Sequence, residues 1–336
     1  MATLAGEGEE DGHGFFLVYG AVLMYRHGCM SATVSIVVTV YNKAPYLPPV
    51  LRSLAAQEGS FSWEYIFVND GSTDDSVAVI QQMTTGWPNV NILNQPNMGQ
   101  VAAANAGIQA ATGTYVKFLD ADDVLHPAAT ARLWAGLQAY PKASVAYGDY
   151  QKISNNIIEK FVPLPPLGKN FIYLADPLPR LFEKYICNPS QMLVRRSALV
   201  ACGGCDPHPD IADGNQEYSL SLRLAKQGGF VHVPGVITHW PDVAPGRLSE
   251  KNHRVLYMLN KTLALFLEQF PETPQFLHQY ACRRAAGRAA KWSRRVHHRW
   301  RLFDPAFWRY IRSLFPVKDA PRFIDSTTVV FQEKPR

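Results

Sequence analysis

The chain has 336 residues, 47% of them hydrophobic and 18% charged, with 23 Gly, 24 Pro and 5 Cys. That composition can fill one large α/β core or two average ones, and it excludes disordered, collagen-like and disulfide-stapled chains. The longest uncharged apolar run, Phe15 to Tyr25, covers eleven positions where a membrane-spanning helix needs about 20, and the formal net charge is only +5.

Residues 1–32 lack the periodicity of the rest of the chain. Glu7, Glu9, Glu10 and Asp11 precede the apolar run where a secretory signal needs positive charge, so the expected location is cytoplasmic. Met30 stands just ahead of the first strand pattern and marks an alternative start; the leader is expected to be without structure or role. From Thr33 to about Tyr147, β-rich runs alternate with helical stretches, which predicts βαβ units and a doubly wound, mainly parallel sheet with helices on both faces. Strands are expected at Val34–Val40, Glu64–Asn69, Asn89–Leu93, Tyr115–Leu119 and Ser144–Tyr147, and helices at Pro45–Ala56, Asp74–Thr84, Gly99–Ala111 and Pro127–Tyr140. The proline-rich stretch Gln151 to Ile186 reads as a long connection or lid. Gln191–Arg195 then reads as a strand, Glu217–Gln227 as a helix, and Phe230–Val233 with Val236–Thr238 as closing strands. Cys29, Cys187, Cys202, Cys205 and Cys282 are odd in number and mostly far apart, the pattern of free thiols, and Cys202-Gly203-Gly204-Cys205 lacks a second ligand pair at zinc spacing.

Ligands of open α/β sheets bind beyond the carboxyl ends of the strands. Three such ends are polar: Thr39 to Asn42, Asn69 to Ser72, and Asp120-Ala121-Asp122-Asp123. Three carboxylates within four positions repel one another unless a cation neutralises them, and oxygen ligands suit Mn²⁺ or Mg²⁺. In an extended chain Asp120 and Asp122 would point the same way. A polar loop with an Asp capping the next helix would use the same residues. Neither a dinucleotide fingerprint nor a P-loop is present, which leaves a metal to grip any phosphate.

These residues resemble the family 2 glycosyltransferases, inverting enzymes with the GT-A fold. Val34 to Asn42 looks like the family's opening strand, and Val68-Asn69-Asp70-Gly71-Ser72-Thr73-Asp74 like its nucleotide-contacting turn. Asn97-Met98-Gly99 and Asn105-Ala106-Gly107 are similar to its next helix, and Phe118 to Asp123 matches its Asp-x-Asp motif. The resemblance covers roughly residues 33 to 240. It implies that Thr39, Tyr41 and Asp70 line the base and ribose pocket, that Asp122 is the principal metal ligand, and that Asp120 supports the sugar nucleotide or the metal. The donor is a nucleotide sugar, UDP-linked by family default, and the acceptor a hydroxyl on a glycan or lipid carrier.

An inverting transfer needs a base for the acceptor's proton. The family places it in a Glu-Asp pair at the start of a helix, which Gln216-Glu217-Tyr218 to Leu224 resembles; Glu217 is the candidate, with Asp213 a rival on the same loop. Two departures stand out, Gln216 for an acidic residue and Ala104 for an Arg that many relatives carry. His239 lies near where relatives place a metal or diphosphate ligand, and Arg247 with Ser249 could contact the diphosphate. Domains are expected as leader 1–32, nucleotide-sugar half 33–150, acceptor half with the base 151–255, and extension 256–336.

Between Phe276 and Phe315 ten Lys and Arg stand against Asp304 alone, leaving the rest of the chain at −4. Phe276, Tyr280, Ala285, Ala289, Trp292, Val296, Trp300 and Phe303 recur at helical spacing, so this segment is expected to form a basic amphipathic helix. Such a helix suits the anionic inner face of the plasma membrane, or packs its stripe on the catalytic domain with its arginines in solvent. Nucleic acid is not the expected partner. Together these features predict a metal-dependent glycosyltransferase of cell-surface polysaccharide or lipopolysaccharide assembly; the alternatives are a nucleotidyltransferase on a related sheet, or a catalytically degenerate binding module.

Overall fold

The computed structural model describes residues 13–18, 21–26, 33–153, 161–167, 170–212, 216–241, 252–297 and 304–331. In the leader, where no structure is expected from the sequence, β1 (His13–Val18) and β2 (Ala21–Arg26) pair as an antiparallel hairpin separate from the main sheet. Two short apolar runs split by a two-residue link containing Gly carry that pairing signal.

The main sheet begins with alternating strands and helices, close to expectation. They are β3 (Thr33–Val40), α1 (Leu47–Ala55), β4 (Ser62–Asp70), α2 (Ser76–Met83), β5 (Val90–Gln95), α3 (Gln100–Ala110), β6 (Tyr115–Asp120), β7 (Val124–Leu125), α4 (Ala129–Ala139) and β8 (Ala143–Ile153). The second half adds β9 (Ile172–Leu174), α5 (Leu178–Glu183), β10 (Met192–Arg195), α6 (Arg196–Ala201), α7 (Gln216–Ala225) and β11 (Gly229–Pro241). Strand order is β5-β4-β3-β6-β10-β8-β11-β7, with β9 on β11. β3 to β6, β8 and β11 run one way, while β10 lies antiparallel between β6 and β8, and β7 and β9 lie antiparallel on β11. The sheet is therefore mixed, and strands from residues 33–150 and from residues 151–255 interleave in it.

Three local expectations change. Gln151–Ile186 is not one long connection, because it holds the end of β8 together with β9 and α5; Tyr173 and Leu174 pair with β11. The two closing strands are one: Pro234-Gly235 makes a bulge, Gly235 at φ +126°, and β11 resumes pairing with β8 beyond it. The chain also does not stay extended through the acidic segment. Asp123 N donates to Asp120 O at 3.0 Å, closing a turn before β7 pairs with β11. The alternation that would have aligned Asp120 with Asp122 ends at that turn.

Strand alternation fixes two cores, one on each face. Ile36, Val38 and Val40 of β3 pack with α1 and α4, whereas Val37 packs with α3 and the helices of the second half. Gly107 of α3 lies against Val37; an added Cβ would come within 2.2 Å of its Cγ1, so only glycine lets α3 settle this close.

Past the sheet come α8 (Asn252–Gln269), α9 (Gln275–His297), α10 (Pro305–Arg312) and α11 (Ala320–Thr328). The single basic helix expected over Phe276–Phe315 is thus two. Asp304 caps α10 by accepting from Ala306 N at 2.9 Å, and Pro305 takes its first turn, so the helix is restarted at this Asp-Pro pair. Ala285, Ala289 and Trp292 of the expected stripe are buried, Ala285 in a core shared with the catalytic half. Trp300 and Phe303 lie outside the described residues.

Candidate active site

β4 and β5 extend from β3 to one side and β6 to the other, so strand order reverses between β3 and β6. Thr39 and Asp120 are register partners at that point. They line one cavity with Gln100 and Ala104 of α3, Cys205, and Glu217 from the first turn of α7. Ala104, where the family pattern often has Arg, presents only a methyl group there.

Glu217 comes from a helix about a hundred residues beyond Asp120 in sequence. Tyr185 Oη donates to its Oε2 at 2.9 Å. Burial raises the Glu217 carboxyl above the ordinary glutamate range, and the Tyr185 hydrogen bond pulls it partly back. Asp120 is pushed up to about 7 by loss of solvent first, then by the charges of Glu217 and Asp122, against the pull of Lys43 and Lys117. Asp123 is raised by burial, Asp120 and Asp122, and accepts from the Ser190 side chain. Burial and mutual repulsion thus disfavour negative charge on Asp120 and Asp123, as expected of an anionic cluster short of positive charge.

Two lysines answer that shortage, and neither is singled out by the sequence motifs. Lys117, in the middle of β6, is fully buried; its ammonium donates to Phe118 O at 2.9 Å and to Ser190 O. Burial lowers it to about 7, opposed by Asp123 and Asp120. Its sequence signal is a cation inside the apolar run Tyr115 to Leu119. Lys43, in the loop after β3, places Nζ 2.7 Å from Asp122 Oδ2. Ser190 ties the arrangement together: its Oγ accepts from Asp120 N at 3.0 Å, and its carbonyl accepts from Thr238 Oγ1 at 2.8 Å.

The nucleotide side is built on the loops after β3 and β4. Asn69 Oδ1 accepts from Ser72 N and shapes the turn. Asp70, 4% exposed, holds a different segment. Its Oδ1 accepts from Met98 N and Gln95 Nε2, and its Oδ2 from Gly99 N. It therefore anchors the Asn97–Gly99 loop at the start of α3. Tyr41, expected in the pocket, is 46% exposed and does not line the cavity that Thr39 borders.

The acidic donors fit a hard divalent cation. Asp122 offers carboxylate oxygens at the mouth, and a cation, the Lys43 ammonium, already lies against them. Among the described residues no group of three or more His, Cys, Asp and Glu side chains stands ready to hold a metal, so substrate oxygens would complete the shell. His239 is opposite Val124 in the β11–β7 register, two residues from Asp122. It is 2% exposed, and its Nδ1 has no hydrogen-bond partner among the described residues. Burial and the neighbouring His126 lower its pKa, leaving a neutral imidazole of the kind metals take. Asp213, Arg247 and Ser249 lie outside the described residues, so the rival base and the expected diphosphate contacts have no structural placement.

The cysteines Cys187, Cys202, Cys205 and Cys282 are buried and free. The Cys202–Cys205 turn is shaped by glycines: Gly203 and Gly204 have φ of +75° and +72°, and Asn105 clamps Cys205 through both its backbone N–H and C=O.

Known proteins resemble this chain in sequence over part of its length or in fold. The profile of the family described as Glycosyl transferase family 2 matches residues 35–202. An uncharacterized glycosyltransferase YibD of Escherichia coli K12 is 40% identical over 93 residues, 28% of this chain and 27% of that protein. EpsJ of Bacillus subtilis, also described as an uncharacterized glycosyltransferase, is 34% identical over 141 residues, 42% of this chain and 40% of its own. The chain therefore spans well under half the length of these relatives. Among solved structures, Staphylococcus aureus TarS 1–349 in complex with UDP-GlcNAc superposes with a TM-score of 0.62 at 16% identity, over 84% of this chain and 79% of that one. The mannosyltransferase PcManGT of Pyrobaculum calidifontis, in complex with GDP-Man and Mn²⁺, gives 0.54 at 16% identity, over 90% and 87%. At these identities the likeness is one of fold, the GT-A type.

Proposed function

Since the chain belongs to the family 2 glycosyltransferases, we propose that it transfers a sugar from a nucleotide donor to a hydroxyl acceptor, with inversion at the anomeric carbon. The observation that carries this is the convergence of Thr39, Asp120 and Glu217, from three separate elements, on one cavity at the strand-order switch. Glu217 takes the proton of the acceptor hydroxyl as its oxygen bonds to the anomeric carbon. The bond to the diphosphate breaks on the opposite side, and its electron pair leaves with the nucleoside diphosphate. Thr39 and Tyr41 border the nucleoside, and Asp70 shapes that pocket from behind through the Asn97–Gly99 loop. Asp122 and Asp120 would hold Mn²⁺ or Mg²⁺, which would supply countercharge for the departing diphosphate.

TarS was solved with UDP-GlcNAc and PcManGT with GDP-Man, which supports testing both nucleotides. Purified protein incubated with UDP- and GDP-sugars, with and without Mn²⁺, should release the nucleoside diphosphate from one series only when the metal is present. Release of pyrophosphate would assign the chain to nucleotidyl transfer instead, and no release with any donor would end the enzyme reading.

The acceptor is proposed to be a glycan or lipid-linked hydroxyl at the inner face of the plasma membrane, in surface polysaccharide or lipopolysaccharide assembly. Among the described residues no helix is long and apolar enough to cross a membrane. Support comes instead from a patch at the α9–α10 junction. Phe276, Leu314 and Phe315 are exposed, and Gln279 and Arg283 join the two helices by donating to Ser313 O, Phe315 O and Leu314 O. Arg283 and Arg312 are exposed beside them. This patch, not the buried stripe of α9, is the surface that would meet lipid. Replacing Leu314 and Phe315 together by Ser should cut partitioning onto anionic vesicles by about a hundredfold or more, since each apolar side chain contributes roughly 1.5–3 kcal/mol when buried. Unchanged co-sedimentation would remove the membrane from the proposal.

A further inference from the structure

The ion pair between Lys43 and Asp122 has no place in the transfer described above. It joins residues 79 apart in sequence, with side-chain exposures of 27% and 14%, at the mouth of the acidic cluster. We propose that Lys43 is a resident counter-ion of Asp122: its ammonium occupies the place of the divalent cation and must leave before the metal binds. The inference rests on the metal-dependent reading of this site and adds a competitor to it.

Three features set this contact apart from an incidental surface pair. First, the Lys43 backbone is fixed. Asn42 adopts φ +51°, its N–H donates to Ser72 Oγ at 3.0 Å, and its Oδ1 accepts from Thr73 N at 2.8 Å. Lys43 N donates to Ser76 Oγ at 2.9 Å and Ala44 N to Asp74 Oδ2 at 3.0 Å. The loop is therefore held by the turn after β4, and only the four-carbon side chain is free to move. Second, the ammonium is held from two sides at once: 2.7 Å from Asp122 Oδ2, Nζ also lies 5.3 Å from the centroid of the Tyr46 ring, within cation–π range. Third, no other cation among the described residues can do the same work. Lys117 faces Asp120 and Asp123 from within the sheet, but it is fully buried and two of its three donors are engaged by Phe118 O and Ser190 O. The other charged groups facing the cluster, Asp120, Asp123 and Glu217, are all acidic.

An ammonium donates hydrogen bonds but offers no coordination sites, so it neutralises Asp122 without drawing carboxylate and diphosphate oxygens into one coordination shell. The pair thus stabilises the acidic cluster between turnovers and weakens metal binding to the empty protein. The metal is left to arrive with the diphosphate oxygens that complete its shell.

The test is Mn²⁺ binding by the full chain without nucleotide, followed by the EPR signal of free Mn²⁺, for the parent, Lys43→Met, Lys43→Arg, Asp122→Asn and the Lys43→Met/Asp122→Asn double variant. Lys43→Met should bind Mn²⁺ about fivefold more tightly than the parent, a change equivalent to about 1 kcal/mol. Lys43→Arg, which keeps the charge, should stay near the parent, and the gain should vanish in the double variant. If Asp122→Asn loses binding while Lys43→Met matches the parent or binds more weakly, the counter-ion proposal is overturned and the metal site stands. If Asp122→Asn binds as well as the parent, the metal site itself falls, and this proposal with it. Circular dichroism of each variant separates these outcomes from misfolding.

Discussion

Asp122→Asn is expected to lower kcat/KM for the nucleotide-sugar donor by about three orders of magnitude, because metal stabilisation of a departing diphosphate is worth several kcal/mol. The substitution keeps shape and removes charge. Its structural cost should be small: the only ion pair it breaks among the described residues is the partly exposed one to Lys43, worth roughly 0–1 kcal/mol at most. A thermal melt close to the parent's, together with lost donor turnover and lost Mn²⁺ binding, is the expected combination. Turnover at the parental rate in chelator-free buffer would eliminate Asp122 as the metal's anchor and the diphosphate-stabilising role with it.

Glu217→Gln should reduce kcat by about 10²- to 10⁴-fold, the usual contribution of a positioned proton acceptor, while the donor KM stays within a few-fold of the parent. The amide can still accept from Tyr185 Oη but cannot take a proton. The pH profile adds a second readout. A base works when deprotonated, so activity of the parent should rise with pH as the Glu217 carboxyl ionises. Burial raises that carboxyl, which moves the rise above the ordinary glutamate range, and the Tyr185 hydrogen bond moves it partly back. In Glu217→Gln this acid limb should disappear from the residual activity. An unchanged limb with only a modest loss in kcat would transfer the role of base to another group, with Asp213 the first to examine.

These two residues illustrate how unevenly the site is legible in the sequence. Asp122 can be read from its own neighbourhood, since crowded carboxylates at the end of an apolar strand state their need for a cation. Glu217 is found by resemblance to a family helix, and its pairing with Tyr185 is invisible because Tyr185 lies at the end of a proline-rich stretch without periodicity. The family resemblance implies a role at the nucleobase for Asp70, yet its oxygens are largely engaged by Met98, Gln95 and Gly99. Lys43 stands in plain view between Asn42 and Ala44, but nothing local tells a lysine that it will meet an aspartate 79 residues away. Lys117 gives a sharper sign, a charge within a buried strand, whose meaning depends on Ser190 arriving just ahead of β10.

The same division holds for the whole molecule. Sequence alone determined the order and type of elements from β3 to α4 apart from the two-residue β7, the polar strand ends, and the family, because these follow from side-chain periodicity, short-range turn and capping preferences and linked motifs. Only the tertiary structure decided that β10 enters antiparallel between β6 and β8, that the acidic segment turns at Asp123, and that the stripe of α9 is buried. Periodicity shows that a face must be covered; the covering element depends on contacts between distant segments, where packing and charge pairing across the fold select the partner.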